Sequence, residues 1–331
     1  EKVSTTEEIA DIAKVAAEEG GIIKMHLRSE GAEILASVNE ALRIGRETGA
    51  PVHLNHLKAI GRKAWPFFEK ALELIRRARD NGLEISFDVY PYRTTGSPLY
   101  LLIPGFVREG GFSLLFKRLA DSLARQKIIS ALKETTLHYD KILIIAAKHL
   151  TVTGHTLAEL SEEMGMPPEE TLLEVVRANE GRVTIMGRAV SAKNMERAVM
   201  DGNSLISSDG EGYGADMGES GNLTHPRSFG AFPHFWHRFV TDTKRLTPEE
   251  AVKKITSEPA KKLGIPKRGM IGEGFAADIA IFNPQTFKDT ATYRNPFQYP
   301  AGMEWVLVNG KVVVEKGIPT GLRAGETLDR K

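Results

Sequence analysis

Short apolar runs alternate with amphipathic segments along the first ninety residues, and this rhythm limits the fold more than any other feature. Ile9, Ile12, Ala13, Ala16 and Ala17 recur at helical spacing, so residues 7–19 predict a helix that Gly20 and Gly21 end. A strand is predicted over 21–26, a helix over 32–48 stopped at Gly49, and a strand over 51–56. A third helix spans 65–81 before Gly82, and a third strand covers 84–89. Strands and helices of this length, joined by short turns, indicate βαβ units and a parallel sheet.

Between 93 and 148 the rhythm breaks. Gly and Pro punctuate 96–111, and one long helical stretch covers 114–132, which predicts an inserted subdomain or lid. Helices over 156–164, 169–179 and 192–200 then accompany strands over 182–186 and 204–207, the last running into Ser208-Asp209-Gly210. The tail differs in kind. Strand-like runs at 277–282 and 305–308 have no long helix between them, and Asn309-Gly310 is a type I′ hairpin signal leading into 311–314. The expected organisation is a barrel's first part over 1–92, an insertion over 93–150, the barrel's second part over 151–266 and a small C-terminal β-sandwich portion over 267–331.

Composition narrows the function classes. A chain of 331 residues holds one large α/β domain and a small satellite. Net charge is +1, with Lys and Arg spread along the chain, so no nucleic-acid partner is expected. No apolar run approaches the ~20 residues that cross a bilayer, so no membrane partner is expected either. Residues 1–20 are charged and amphipathic, unlike a secretory signal, which favours the cytoplasm. The chain has no cysteine, which excludes disulfides, a thiol nucleophile and a thiolate metal site made by this chain alone.

In β/α folds, reactive groups sit where strands end and loops begin. Three predicted strand ends carry His26, His56 and Asp209. Two imidazoles and a carboxylate at one mouth hold a divalent metal and activate water. The alternative is that the histidines cap strands and Asp209 serves the Ser-Asp-Gly turn, and spacing alone leaves both open. Lys24 shares the strand parity of His26.

The local motifs add a resemblance. Residues 20–31 end in His26-Leu27-Arg28-Ser29-Glu30-Gly31; then come Asn55-His56-Leu57-Lys58, Asp88-Val89-Tyr90-Pro91-Tyr92 and Ser207-Ser208-Asp209-Gly210. His225-Pro226-Arg227-Ser228-Phe229-Gly230, Gly274 to Asp278 and Val306 to Val313 follow in order. The ordered set resembles the D-aminoacylase (N-acyl-D-amino-acid deacylase) family of the amidohydrolase superfamily. That resemblance implies a partial (β/α)8, TIM-like, metal-dependent hydrolase barrel acting on small N-acyl amino acids. It implies Zn2+, as one or two divalent ions, with His26 and His56 as ligands and Asp209 as the proton carrier. Lys58 and Tyr90 would grip substrate, and Ser97, in a Gly96-Ser97-Pro98 turn, corresponds to a family serine near it.

The chemistry agrees: a cation at Lys58 suits a carboxylate, and a tyrosine hydroxyl donates to an oxygen as charge builds. Arg28 and Arg227 are further substrate-site candidates, Arg28 with Glu30 as a structural partner, Arg227 as a carboxylate ligand or a loop brace. The alternatives are a cyclic-amide hydrolase of the dihydroorotase or hydantoinase type, and a non-catalytic subunit completing a barrel with another chain. Family members also carry a His-x-His strand and a metal-binding cysteine that this sequence lacks. An N-terminal segment or second polypeptide is therefore expected to supply His-x-His. Five strand units are counted from His26 to Asp209, one more than the superfamily scheme allows. One of the strands near 89 and 185 is then not a stave, or else His26 follows the fourth strand.

Overall fold

The computed structural model describes residues 4–134 and 137–328. Thr5 opens the first helix, Thr6–Glu18, with a capping box: its hydroxyl accepts from Glu8 N, and the Glu8 carboxylate accepts from Thr5 N. Strands β1 (Ile23–Met25), β2 (Val52–Leu54) and β3 (Ile85–Val89) follow, separated by the helices Ile34–Thr48 and Phe68–Asp80. Next come β4 (Thr94–Pro98), β5 (Ile142–Ala147), β6 (Val183–Arg188) and β7 (Ser204–Ile206). The chain closes on β8 (Ile279–Phe282), β9 (Met303–Val308), β10 (Lys311–Glu315) and β11 (Ile318–Pro319).

β1, β2, β3 and β7 form one parallel sheet in that order. Lys24 pairs in register with His53, and His53 with Ser86, so with Asp88 two residues on they share one face. Val52, Leu54, Ile85, Phe87 and Val89 take the opposite face. There they join Ala41, Leu42, Phe68, Leu72 and Ile75 in the main apolar core. One face of the sheet is thus apolar and roofed by helices, while the other is polar, as expected of barrel staves whose inner surface carries a site. Among the described residues the four strands form an open sheet and not a closed barrel.

The segment 182–186, one of the two strands whose place in the barrel the sequence leaves open, is the centre of an antiparallel sheet ordered β4–β6–β5. Its residues Val183 and Ile185 pack with Leu99, Leu119, Ile144, Leu172 and Val176 in a second, separate core. This resolves the strand count: four parallel strands, not five, run from His26 to Asp209. The antiparallel layer extends to Arg188, past the boundary at 150 drawn from the sequence. Periodicity reports that a strand is half-buried and is silent about which sheet buries it. Gly96-Ser97-Pro98, read as a turn, is β4 itself, with Ser97 opposite Ile185.

The single long helix expected over 114–132 is two, Gly111–Ala120 and Ser122–Glu134. Asp121 is extended (ψ 123°) between them, and its Oδ1 accepts from Ala124 N at 2.7 Å, capping the second helix. Near the C-terminus β11, β10, β9 and β8 make one antiparallel sheet. Asn309 (φ 48°) and Gly310 (φ 75°) give its hairpin the two positive φ angles that a type I′ turn requires. Helices that the sequence does not announce include Arg227–Trp236, Pro248–Ile255 and Ser257–Lys262. The second of these sends Lys254 under the sheet, where its Nζ donates to Asp201 O, Ser204 O and Ser204 Oγ and pins the start of β7. No helix among the described residues is long and apolar enough to cross a membrane.

Candidate metal centre at the strand ends

His26 follows β1 directly and His56 lies two residues past β2, so parallel pairing of the two strands delivers both imidazoles to one edge. His26 Nδ1 lies 2.9 Å from His56 Nε2, with the rings edge to face. Glu30 comes from the loop after His26. One ligand atom each from His26, Glu30 and His56 fit within 4.8 Å of one another. Imidazole nitrogens and a carboxylate oxygen are donors that zinc accepts, and two histidines with one glutamate suffice for a catalytic site with an open position.

Lys58 is buried against this group. Its Nζ donates to Glu30 Oε1 at 2.6 Å and to His56 O at 3.2 Å, and lies 2.9 Å from His56 Nδ1. Glu30 Oε1 is also 3.1 Å from His56 Nδ1. When that nitrogen carries the proton and donates to Glu30, the Nε2 lone pair faces His26 and is available to a cation. Burial alone would raise the Glu30 carboxyl, but His56 and Lys58 outweigh it and hold the group below the usual carboxylate range. Burial pulls Lys58 below the usual lysine value, with the Glu30 charge opposing.

Asp209 follows β7, at φ 47° in the left-handed region. Its Oδ2 pairs with Arg227 Nη1 at 2.8 Å. The Arg227 guanidinium lies 4.6 Å from the Tyr90 ring centre, and Lys58 Nζ lies 5.6 Å from the same ring. The Tyr90 ring thus lies against both Arg227 and Lys58 and joins the Asp209 pair to the histidines. Burial pushes the Tyr90 hydroxyl well above its ordinary value, so it stays protonated and able to donate. His225 braces the Arg227 segment. Its Nδ1 accepts from Arg227 N at 3.0 Å, and its Nε2 donates to Thr94 O at 3.1 Å.

Six of the sequence candidates, His26, His56, Lys58, Tyr90, Asp209 and Arg227, are brought together. The other two make different contacts. Arg28 forms a two-pronged pair with Glu40 (Nε to Oε2 3.0 Å, Nη2 to Oε1 2.8 Å). Ser97 sits within β4 in the antiparallel layer. Lys24 is exposed, beside His53 in register.

Sequence reasoning passed over three residues. The sequence offers Glu30 as a partner for Arg28, and its place four residues after His26 in the same motif is the signal of a further role. His53 and Asp88 form a buried chain on the polar face: His53 Nδ1 meets Ser86 Oγ at 2.7 Å, and His53 Nε2 meets Asp88 Oδ2 at 2.8 Å. Polar residues at alternate positions of otherwise apolar strands were the available sign.

Residues 146–314, just over half of the chain, match a family model described as the Amidohydrolase family. The chain belongs to that family. It is 29% identical over 334 residues to the D-aminoacylase of Alcaligenes xylosoxydans xylosoxydans, covering 99% of this chain and 58% of the relative. A crystal structure of D-aminoacylase superposes with a TM-score of 0.77 at 28% identity, covering 98% of this chain and 60% of that one. The N-acyl-D-glutamate deacylase of Bordetella bronchiseptica gives a TM-score of 0.76 at 26% identity, with 96% and 59% covered. That structure contains zinc and a phosphonate mimic of the reaction's tetrahedral intermediate. The chain therefore spans about 60% of the length of these relatives.

Proposed function

We propose that the chain carries the core of a zinc-dependent hydrolase that cleaves the amide bond of N-acyl-D-amino acids, giving a carboxylate and the free amino acid. The observation that carries this reading is the meeting of His26, His56 and Glu30 at the ends of adjacent parallel strands, with Lys58 paired to Glu30 and sharing the Tyr90 ring with Arg227, the partner of Asp209. Likeness to D-aminoacylase and to a zinc-containing N-acyl-D-glutamate deacylase over nearly all of the chain supports it.

His26 and His56 would hold the ion, and Glu30 would either join them or fix the His56 tautomer from behind. Bound zinc supplies Lewis acidity that makes water nucleophilic at neutral pH. Asp209 takes the proton released by the attacking water and delivers it to the leaving amine. The buried Tyr90 hydroxyl donates to the substrate carbonyl oxygen as negative charge builds there. Lys58 and Arg227 present two cations to the carboxylate of the amino acid, which fixes the scissile amide relative to Asp209. A second ion would need ligands beyond these three, and a His-x-His strand from outside residues 1–331 is the source that the family resemblance implies.

The test is hydrolysis of N-acetyl-D-amino acids, their L-enantiomers and hydantoins by zinc-loaded protein containing this chain. Turnover of the D-N-acyl compounds with little of the others is expected. A preference for the cyclic amides would replace the reading with the dihydroorotase or hydantoinase type.

A further inference from the structure

We propose that Asp88 is the positioning residue that locks the loop bearing His56 to the loop bearing Asp209, an inference resting on the function proposed for those two residues. β3 lies between β2 and β7, so Asp88 stands between the two loops. Its Oδ1 accepts from His56 N at 2.8 Å and from Ser207 Oγ at 2.6 Å. Oδ2 accepts from His53 Nε2 at 2.8 Å, and His53 is held in turn by Ser86, so the carboxylate cannot swing away from either loop. Asp88 is 8% exposed, which leaves water little room to substitute for it.

The backbone shows what the clamp holds. His56 (φ 39°) and Asp209 (φ 47°) are non-glycine residues in the left-handed region, a conformation that persists only where its surroundings enforce it. Backbone bonds bring both loops to β3, Leu57 N to Asp88 O at 2.8 Å and Ser207 N to Val89 O at 3.1 Å. The carboxylate adds the contacts at His56 itself and two residues before Asp209. A ligand and a proton carrier from different loops need a fixed separation, and one carboxylate oxygen shared by both loops sets it.

The experiment compares Asp88→Ala, Asp88→Asn and Ser207→Ala by amide hydrogen exchange without metal, then by Co2+ affinity and kcat in the loaded protein. Asp88→Ala is expected to speed exchange in 55–58 and 206–210 together by roughly tenfold or more, the scale of a lost bond to a charged group. Ser207→Ala, the variant least disturbing to folding, should loosen 206–210 alone. Asp88→Asn keeps an acceptor oxygen toward both loops, its amide N–H donates to His53 Nε2 once that ring takes the tautomer that donates to Ser86 Oγ, and it should stay near wild type. In loaded protein Asp88→Ala should weaken Co2+ affinity and lower kcat by about 10–100-fold each with KM little changed, and Asp88→Asn should rescue both. Wild-type exchange in both segments of Asp88→Ala, or no rescue by Asp88→Asn, would overturn the proposal. A wild-type protein that takes up no metal would overturn the proposed function instead, while exchange still reports the coupling of the loops.

Discussion

Lys58 and Glu30 form an ion pair with a 2.6 Å hydrogen bond, and the two residues are 6% and 7% exposed. Removing one partner of a buried pair strands the other, at a cost of roughly 3–5 kcal/mol. Lys58→Ala should therefore lower unfolding free energy by about that much, and Lys58→Met with Glu30→Gln should recover most of it. Lys58→Ala should also raise KM for an N-acyl amino acid if, as proposed, the same ammonium meets the substrate carboxylate. Denaturant titrations read the first effect and steady-state kinetics the second. An alanine variant as stable as wild type would show that the pair carries no such burden.

Asp209 is held by Arg227, so its carboxylate is oriented without having to contact the ion. Asp209→Asn should lower kcat by about 10²–10⁴-fold, the range of general acid–base contributions, while zinc content and thermal midpoint stay close to wild type. Near-normal turnover in that variant would remove Asp209 from the proton pathway.

His225 gives a pH signature separate from the ligands. One ring nitrogen accepts from Arg227 N and the other donates to Thr94 O, so a second ring proton would face an N–H donor. Burial, with the Arg227 charge adding, pushes its pKa from the ordinary 6.5 down to about 3. The unfolded chain then takes up the proton first, so this contribution is complete above pH 6.5 and declines as pH falls toward 3. Between pH 7 and 4 the loss is roughly 3 kcal/mol at ~1.4 kcal/mol per unit. His225→Gln should be less stable at pH 7 and lose less on acidification. Equal losses in the two proteins, measured by denaturant midpoints across that range, would contradict the assignment.

The sequence made the first three staves and their helices legible because Gly20, Gly49 and Gly82 end the helices and the apolar spacing changes sharply after each. It left open whether β6 is a stave, because Val183 and Ile185 look alike whether they pack beneath a parallel or an antiparallel sheet. His26, His56 and Asp209 were visible as strand-end residues. The Asp88 clamp was not, since a hydrogen bond across three strands leaves no mark in local spacing. Proximity in the chain offers Glu30 to Arg28, and the helix Ile34–Thr48 brings Glu40 to it.

The central claim is that His26 and His56 share one ion. Its most direct test is anomalous diffraction at the zinc edge from crystals of zinc-loaded protein. A peak is expected within ~2.0–2.1 Å of both His26 Nδ1 and His56 Nε2, lost in the double variant His26→Ala, His56→Ala. A zinc peak elsewhere, or the same zinc stoichiometry in the double variant, would contradict it.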